Sequence, residues 1–450
     1  MSATVLSFAA LVGTVFLSRT IGGAALEWCA AGALILLCIA AGRGATVREV
    51  VLGVAASALA IAVLVSGGTA ADLRTALELG AFFAAFILLL TALKIAAERS
   101  RSVIAVGRAL IRQPAGRRFA ATAGGGHILG VFLNFGAISL MAPMIQNAAR
   151  SDDGVVDPVL ERRQISALLR GFAWVLLWAP TTLAQAVLLT LFTDIDQSRV
   201  IALGIATAVL MMTLGMLHDR IEWRGAAEPC EAAPQMPRTA LFRLALICGT
   251  LIGLTVLVQI GGDMSTALSL MVVAPLVTGI WFRFQPSTVG RGKAFMAALE
   301  HEAPGLARSA MALGLSGFIG RALADVVPVS ALNGPLDTGG MPGWAFLAAL
   351  PILITLGGQV ALSPIILVVF IGQVVQQFPA LPAAPEHIVF ALGCGWAISM
   401  FASPNATATL LISATTRIAP TRLTWSWNLR YGVLSYLVLV GLFLLLEPPW

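Results

Sequence analysis

The sequence contains few charged residues. Asp, Glu, Lys and Arg make up 11% of the 450 residues, whereas a soluble domain carries roughly 25%. Hydrophobic residues account for 58%, and the mean hydropathy is +0.90. This composition excludes an ordinary soluble domain and predicts an all-α polytopic membrane protein, which we expect as a multi-pass protein in the lipid bilayer of a bacterial inner (plasma) membrane.

The net charge of +6 would suggest a nucleic-acid partner in a soluble protein. In a membrane protein it is explained more simply by the excess of Lys and Arg in cytoplasmic loops. No nucleic-acid partner is therefore expected.

The sequence also lacks a pattern that would bind a metal ion or perform catalysis. Its five cysteines are scattered without CxxC spacing, and they are interpreted as small apolar residues. Gly290-Arg291-Gly292-Lys293 lacks the spacing of a phosphate-binding loop. We therefore expect no metal, no cofactor and no enzymatic activity.

Four stretches contain no Asp, Glu, Lys or Arg: 121–149, 171–193, 343–385 and 388–416. Within them, Gly, Pro, Ser, Asn, Gln and Thr interrupt runs that hydropathy alone would assign to continuous helix. An unpaired backbone group costs several kcal/mol in hydrocarbon, so irregular backbone is tolerated only against protein or a wet cavity. Two such interruptions close together therefore indicate a binding site.

The interruptions recur with the same spacing in both halves of the chain. Ser139 and Pro180 are 41 positions apart, as are Ser363 and Pro404, and the two sets are offset by 224 residues. This match predicts a duplication. The predicted organisation is an N-terminal segment that forms an extra helix or lies at the interface (1–19), repeat 1 (20–217) with a hairpin (115–149) and a broken helix (164–193), a cytoplasmic linker (218–240), and repeat 2 (241–450) with a hairpin (343–378) and a broken helix (388–416).

The remaining apolar runs predict ordinary membrane spans. They lie at 24–42, 49–66, 80–96, 198–216, 243–260, 264–282, 309–328 and 431–447, and an amphipathic interfacial segment is predicted at 293–308.

The basic residues orient the two hairpins. Arg residues flank the first hairpin on both sides, and positive charge stays cytoplasmic, so this hairpin is predicted to enter and leave from inside. The flanks of the second hairpin, 331–343 and 376–387, contain no Lys or Arg and predict entry from outside. One hairpin from each face means that the repeats are inverted. Each would contain five transmembrane helices and one re-entrant hairpin, with the broken helices at the bilayer midplane.

This architecture resembles the ion transporter superfamily, which includes divalent anion/sodium symporters, citrate carriers and arsenite-efflux membrane proteins. Ser403-Pro404-Asn405-Ala406-Thr407 and Ala179-Pro180-Thr181-Thr182 resemble the Thr/Pro/Asn-rich turns in the broken helices of the divalent-anion group. The hairpin tips, Asn134-Phe135-Gly136-Ala137 and Gln359-Val360-Ala361-Leu362-Ser363, depart from the Ser-Asn-Thr signature of that group. The resemblance implies a secondary transporter that works as a homodimer by an elevator motion, but it does not carry over sodium coupling or dicarboxylate specificity.

Polar side chains at the hairpin tips and helix breaks form the predicted site for a small-molecule solute. The candidates are Asn134, Ser139, Thr181, Thr182, Gln185, Gln359, Ser363, Asn405 and Thr407, with the helix breaks at Pro180 and Pro404. Helix N-termini present free N–H groups with partial positive charge, which suit an anion. A cation carrier would be expected to have Asp or Glu here. Unwound carbonyls could still coordinate a coupling cation, so sodium and proton coupling are both left open.

Three ionisable residues in predicted membrane segments have two interpretations each. His127 titrates near neutral pH and is either structural or part of coupling. Arg321 and Asp325 are four residues apart, so they can pair on one helix face. Intramembrane charges are functional candidates by default, although the position of Asp325 near the outer end of its span favours a structural pair.

The leading functional hypothesis is a secondary active transporter that moves a small anionic or polar solute, such as a carboxylate, by symport or another ion-coupled route. The first alternative is an exporter of a drug, metabolite or oxyanion. A channel-like or structural scaffold is another. An intramembrane enzyme is the remote alternative, since it would need a nucleophile, a carboxylate pair or a metal cluster at membrane depth.

Overall fold

In a computed structural model of the chain, the described residues are 3–150, 153–225, 235–285, 290–327, 341–378 and 381–448. They form helices joined by short connections and contain no strand beyond an isolated bridge between Arg150 and Val156. Nine of the described helices are long and apolar enough to cross a bilayer. The protein is therefore a multi-pass helical membrane protein. The predicted flank at 331–340 and Cys230 lie outside the described residues.

In chain order, the α-helices are α1 (Ala3–Ile21), α2 (Ala24–Gly42), α3 (Val47–Val65), α4 (Ala70–Glu98), α5 (Arg101–Ile111), α6 (Ala115–Leu133), α7 (Gly136–Ala148), α8 (Pro158–Ala173), α9 (Leu183–Leu191), α10 (Gln197–Glu222), α11 (Arg238–Gly262), α12 (Thr266–Arg283), α13 (Arg291–Val326), α14 (Gly343–Gln359), α15 (Pro364–Val375), α16 (Pro385–Ala402), α17 (Thr407–Thr416) and α18 (Leu429–Leu446).

Every predicted apolar span overlaps a helix, and the largest differences from the predicted lengths are in α4 and α13. α4 begins ten residues before the predicted span at 80–96, because the Asp72 carboxylate accepts hydrogen bonds from the backbone N–H and hydroxyl of Thr69 and caps the helix. The predicted interfacial segment 293–308 and the span 309–328 form the single helix α13. Pro304 removes only one backbone donor there, and the surrounding Ala, Leu and Met residues favour helix. The N-terminal segment is helical as α1.

The chain folds into two compact units. Unit 1 comprises Met1–Ala96, Leu251–Thr338 and Ile365–Leu381, and unit 2 comprises Ala97–Thr250, Gly339–Pro364 and Pro382–Trp450. The two arms of the second predicted hairpin therefore belong to different units, since α14 lies in unit 2 and α15 lies almost wholly in unit 1. In the first hairpin, α6 and α7 pack against each other within unit 2.

Unit 1 is packed around the buried helix α4. A Cβ atom on Gly80 would lie 2.4 Å from the carbonyl oxygen of Gly314, so α4 and α13 approach each other backbone to backbone. A Cβ atom on Gly320 would lie 2.9 Å from the carbonyl oxygen of Ile366, which places α15 against α13 less than two turns further along that helix. Glycine is required at these contacts because any side chain would separate the helices.

Unit 2 contains similar close contacts, which join the first predicted broken helix to α6 and to the second predicted broken helix. Gly171 on α8 lies against α6, where an added Cβ atom would be 2.0 Å from the carbonyl oxygen of Ala123. Gly393 on α16 faces Leu177 and Leu188, so the two broken helices pack on each other. The half-helices after the breaks, α9 and α17, begin 224 residues apart, at Leu183 and Thr407.

Candidate functional site

The first break lies between α8 and α9. One turn of 3-10 helix (Trp174–Leu177) follows α8, and Trp178–Thr182 then leave the helix. Pro180 has no N–H with which to continue the helical bonding. Thr182 restarts it as the N-cap of α9, since its hydroxyl accepts a hydrogen bond from the N–H of Gln185 at 3.4 Å.

Two polar side chains stabilise this break. Gln185 donates from Nε2 to the carbonyl oxygens of Leu176 (3.2 Å) and Leu177 (2.7 Å), which satisfies backbone acceptors that the break leaves open. Its Oε1 atom is buried and has no hydrogen-bond partner within the described ranges. The Thr181 hydroxyl donates to the carbonyl oxygen of Val131 near the tip of the first hairpin. Gln185 therefore stabilises the non-helical backbone of the break, and Thr181 joins the break to the first hairpin.

Asn134 occupies the tip of the first hairpin, between α6 and α7. Its backbone has a φ angle of 50° and a ψ angle of −128°, which lies outside the left-handed helical region and is a conformation that glycine adopts most readily. The residue is 8% exposed, yet neither Oδ1 nor Nδ2 of its side chain has a hydrogen-bond partner among the residues that the structure describes. A buried amide without partners is costly, so this group is a candidate for binding a ligand. Ser139, by contrast, donates to the carbonyl oxygen of Phe135 within the same helix (3.4 Å).

The second break, Ser403–Ala406, is fastened to the tip of the second hairpin. The Ser403 hydroxyl donates to the carbonyl oxygen of Gly358 at 2.6 Å. Asn405 donates from Nδ2 to the carbonyl oxygens of Gly358 and Gln359, both at 3.1 Å. The helix ends at the residues before Pro404, and the Asn405 side chain joins the break to the hairpin tip by hydrogen bonds.

Gln359 completes this arrangement. Its Nε2 atom donates to the carbonyl oxygen of Ala402 (3.1 Å), and its Oε1 atom accepts a hydrogen bond from the indole N–H of Trp425 (3.0 Å). Trp425 lies in a π-helical turn, Arg422–Ser426. Ser403 and Trp425 were absent from the predicted site. Ser403 sits next to Pro404, as Ala179 sits next to Pro180, so the repeat indicated its place, whereas nothing in the sequence indicated Trp425.

The N-termini of α7 and α17 lie at the same end of a pair of packed helices. α7 packs against α17, and Gln146 near the C-terminus of α7 donates to the carbonyl oxygen of Thr416, the last residue of α17, at 2.9 Å. Because this bond joins two C-terminal ends, both N-termini point towards the breaks.

No side chain caps either N-terminus. At α7, the N–H groups of Ala137 and Ile138 already donate to the carbonyl oxygens of Asn134 (3.0 Å) and Phe135 (3.2 Å). The N–H groups of Thr407 and Ala408 at the start of α17 have no hydrogen-bond partner among the described residues, so α17 supplies the free donors and the partial positive charge.

The predicted site residues thus fall into three groups. Asn134, Thr407 and the N-terminus of α17 leave donors unused among the described residues, whereas Thr181, Thr182, Gln359 and Asn405 are engaged in holding the breaks. Ser363 is half-buried at the start of the second hairpin's return arm and makes no side-chain hydrogen bond within the described part of the chain.

The ionisable candidates do not contribute to the group of unused donors described above. His127 donates from one ring nitrogen to the carbonyl oxygen of Gly171 (2.9 Å), and the other nitrogen accepts from the indole N–H of Trp178 (3.0 Å). This geometry fits a neutral, structural imidazole. Arg321 and Asp325 form an ion pair at 3.1 Å on α13 in unit 1, and Arg321 also donates to Gln373. They do not belong to the unit that contains the breaks.

Comparisons with known proteins show the fold. No protein-family model matches the chain, and no curated protein matches it. The chain is similar to the solved structure of the YdaH transporter of Alcanivorax borkumensis, with a TM-score of 0.50, 16% identity, and coverage of 80% of this chain and 83% of that chain. It is also similar to MtrF of Neisseria gonorrhoeae, described with a class of antimetabolite efflux pumps, with a TM-score of 0.49, 14% identity and coverage of 80% of each chain.

The likeness to YdaH indicates a shared helical fold at low sequence identity. The comparisons give no support to the more specific resemblance to divalent-anion, citrate or arsenite carriers that the sequence suggested.

Proposed function

We propose that the protein is a secondary active transporter for a small anionic or polar solute, with a carboxylate as the preferred class. The observation that carries the proposal is the uncapped N-terminus of α17 at the second break, together with the buried amide of Asn134, which has no partner among the described residues, at the start of the neighbouring helix α7. The fold shared with the YdaH transporter supports it.

The chemistry of these donors matches an anion. A carboxylate accepts hydrogen bonds on both oxygens, and helix N-termini bind such groups through backbone N–H donors. The charge-free stretches contribute no Asp or Glu that would repel an anion or attract a cation. The Asn134 amide also offers an acceptor, which would allow a neutral polar solute with a donor to bind.

The proposed mechanism is elevator-type alternating access. Both broken helices, the first hairpin and the tip of the second belong to unit 2, whereas α3 and α12 belong to unit 1. We assign unit 2 as the moving part and α3 and α12 to the static scaffold. The two halves would be inverted repeats, and the protein would act as a homodimer in a bacterial inner membrane, coupled to sodium or protons. Transport in either direction, import or export, is compatible with this site, and the test below measures the direction.

The test is solute uptake by purified protein in proteoliposomes, with radiolabelled benzoate, succinate and citrate as anionic probes and tetraethylammonium as the cationic probe. We expect saturable movement of at least one carboxylate under an imposed sodium or proton gradient, and none of tetraethylammonium. Movement of the cation alone, or of no probe in either direction, would contradict the proposal.

A matched pair of variants links this transport to the site. Asn134→Gly keeps a residue that tolerates the positive φ angle but removes the amide. Losing a hydrogen bond to a charged ligand costs about 1.5–3 kcal/mol, so the apparent affinity should fall roughly ten- to a hundredfold. Asn147→Gly removes an exposed amide near the other end of α7, and it should leave the affinity unchanged.

A further inference from the structure

A second polar cluster lies in unit 2, outside the breaks, on facing surfaces of α8 and α10. Arg163 donates to Asp219 through two hydrogen bonds, at 3.1 Å and 2.7 Å, and Arg162 pairs with Glu222. These pairs lie at the start of α8 and the end of α10. The predicted binding site did not include any of them.

Arg170, two turns further along α8, is the buried member of the cluster. It is 4% exposed, and none of its hydrogen bonds in the described part of the chain goes to a carboxylate. Its guanidinium donates to the Asn428 side chain at 2.8 Å and to the carbonyl oxygen of Trp427 at 3.3 Å, and it lies 4.4 Å from the centre of the Tyr431 ring. One further donor, Nη1, reaches Nδ1 of His218 at 3.4 Å.

His218 has two competing partners at the same ring nitrogen. Nδ1 lies 3.4 Å from the Arg170 guanidinium and 3.6 Å from Oε2 of Glu222. A neutral ring with its proton on Nε2 can accept the Arg170 hydrogen bond. A protonated ring carries a proton on Nδ1, so it can only donate there, and its partner becomes Glu222. Proton binding therefore exchanges Arg170 for Glu222.

We propose that His218 binds the proton that is coupled to solute transport, and that it does so by this exchange of partners. The proposal rests on the proposed transport function and names its coupling ion. Protonation removes the acceptor of one Arg170 hydrogen bond and adds a positive charge beside the guanidinium.

The charged and titratable groups around His218 come from three elements. They are Asp219 and Glu222 on α10 itself, Arg162, Arg163 and Arg170 on α8, and Arg430 and Tyr431 on α18. The two carboxylates favour the protonated ring, and the arginines oppose it. The nearest carboxylate, Glu222, already accepts a hydrogen bond from Arg162 on its other oxygen, so the second oxygen faces the ring.

α8 links this cluster to the first break. Arg170 is followed by Trp174, whose indole N–H donates to the Tyr431 hydroxyl at 2.7 Å, and then by the break at Trp178–Thr182. A change in the Arg170 contacts therefore acts on the helix that ends beside the candidate solute site. This gives proton binding a physical route to the solute through one rigid element.

The experiment compares wild type with His218→Gln in two assays in the same proteoliposomes. Counterflow of the carboxylate that wild type transports (benzoate, succinate or citrate) needs no gradient, and we expect the variant to retain it. Accumulation driven by a pH gradient, measured above that of protein-free liposomes because neutral benzoic acid crosses lipid by itself, needs the proton site. With one coupled proton, a gradient of one pH unit supports about a tenfold accumulation, and the variant should show none. His387→Gln is the matched control, since His387 pairs with Glu447 at 2.7 Å in the same unit, and it should accumulate solute like wild type.

A second measurement does not depend on transport. Histidine-selective 15N NMR of the wild-type protein in nanodiscs, assigned with His218→Gln, should show Nδ1 of His218 unprotonated at high pH and protonated on acidification. An Nδ1 signal that does not change with pH would overturn the proposal. Full gradient-driven accumulation by His218→Gln would also overturn it. So would a wild-type protein that performs counterflow but shows no gradient-driven accumulation. Failure of wild-type counterflow with every carboxylate would overturn the proposed function itself, and the coupling with it.

Discussion

Asn405→Asp is expected to abolish binding of an anionic solute. The new carboxylate would stand beside the uncapped N-terminus of α17, where the solute is proposed to bind. A second negative charge about 5 Å from a bound carboxylate costs roughly 3 kcal/mol at an effective dielectric constant of about 20, which corresponds to a loss of more than about a hundredfold in affinity. Equilibrium binding of radiolabelled carboxylate to purified protein measures this loss.

The same substitution also weakens the tie between the break and the hairpin. Nδ2 of Asn405 donates to the carbonyl oxygens of Gly358 and Gln359, and a carboxylate has no donor to offer them. Thr181→Val separates the two effects. It removes one hydrogen bond from the first break to Val131 without adding charge, so the affinity should fall only about two- to tenfold. Wild-type affinity in Asn405→Asp would mean that the site is elsewhere or that the solute is not an anion.

Gly171→Ala is expected to disrupt the fold of unit 2. The added Cβ atom would lie 2.0 Å from the carbonyl oxygen of Ala123, and a backbone atom cannot rotate away. α6 and α8 would have to separate, and the hydrogen bond from His127 to the Gly171 carbonyl would be strained. Forced overpacking of this kind typically costs about 1–3 kcal/mol or more. Thermal unfolding and monodispersity in detergent are the readouts.

Gly124→Ala is the matched control on α6. No atom lies within 4 Å of the Cβ position there, apart from the local backbone of the helix, and Ala favours helix over Gly by about 1 kcal/mol. The control should unfold at the wild-type temperature or slightly above it. Equal stability of both variants would contradict the close approach of α6 and α8.

The helices and their breaks could be predicted because both depend on local sequence. Apolar runs such as 24–42 define spans by transfer energy alone. Pro180 and Pro404 indicated breaks because each stands next to polar residues within an apolar run, whereas Pro304 lies inside the continuous helix α13. The choice of Asn134 as a candidate for ligand binding also followed from its position among polar residues in an apolar stretch. None of these inferences needs knowledge of which helices are neighbours.

The remaining features depend on contacts between distant parts of the chain. Arg170 meets Asn428 across 258 positions and His218 across 48, and no periodicity in the sequence encodes either pairing. Asn405 was expected to bind solute directly, but its amide is used on hairpin carbonyls that only the folded chain brings near. The assignment of α14 and α15 to different units likewise depends on what each arm packs against. Hydropathy indicates which segments enter the membrane, but it does not indicate which helix each segment packs against.

The most direct test of a moving solute site is the accessibility of a single cysteine at Thr407, the first residue of α17. The variant would be made in a background without the five native cysteines, in membrane vesicles of both orientations, and treated with an impermeant maleimide. Alternating access predicts labelling from either face, and it predicts that the transported carboxylate slows labelling from both. Labelling from one face only, with no protection by benzoate, succinate or citrate, would contradict a solute site that is carried across the membrane.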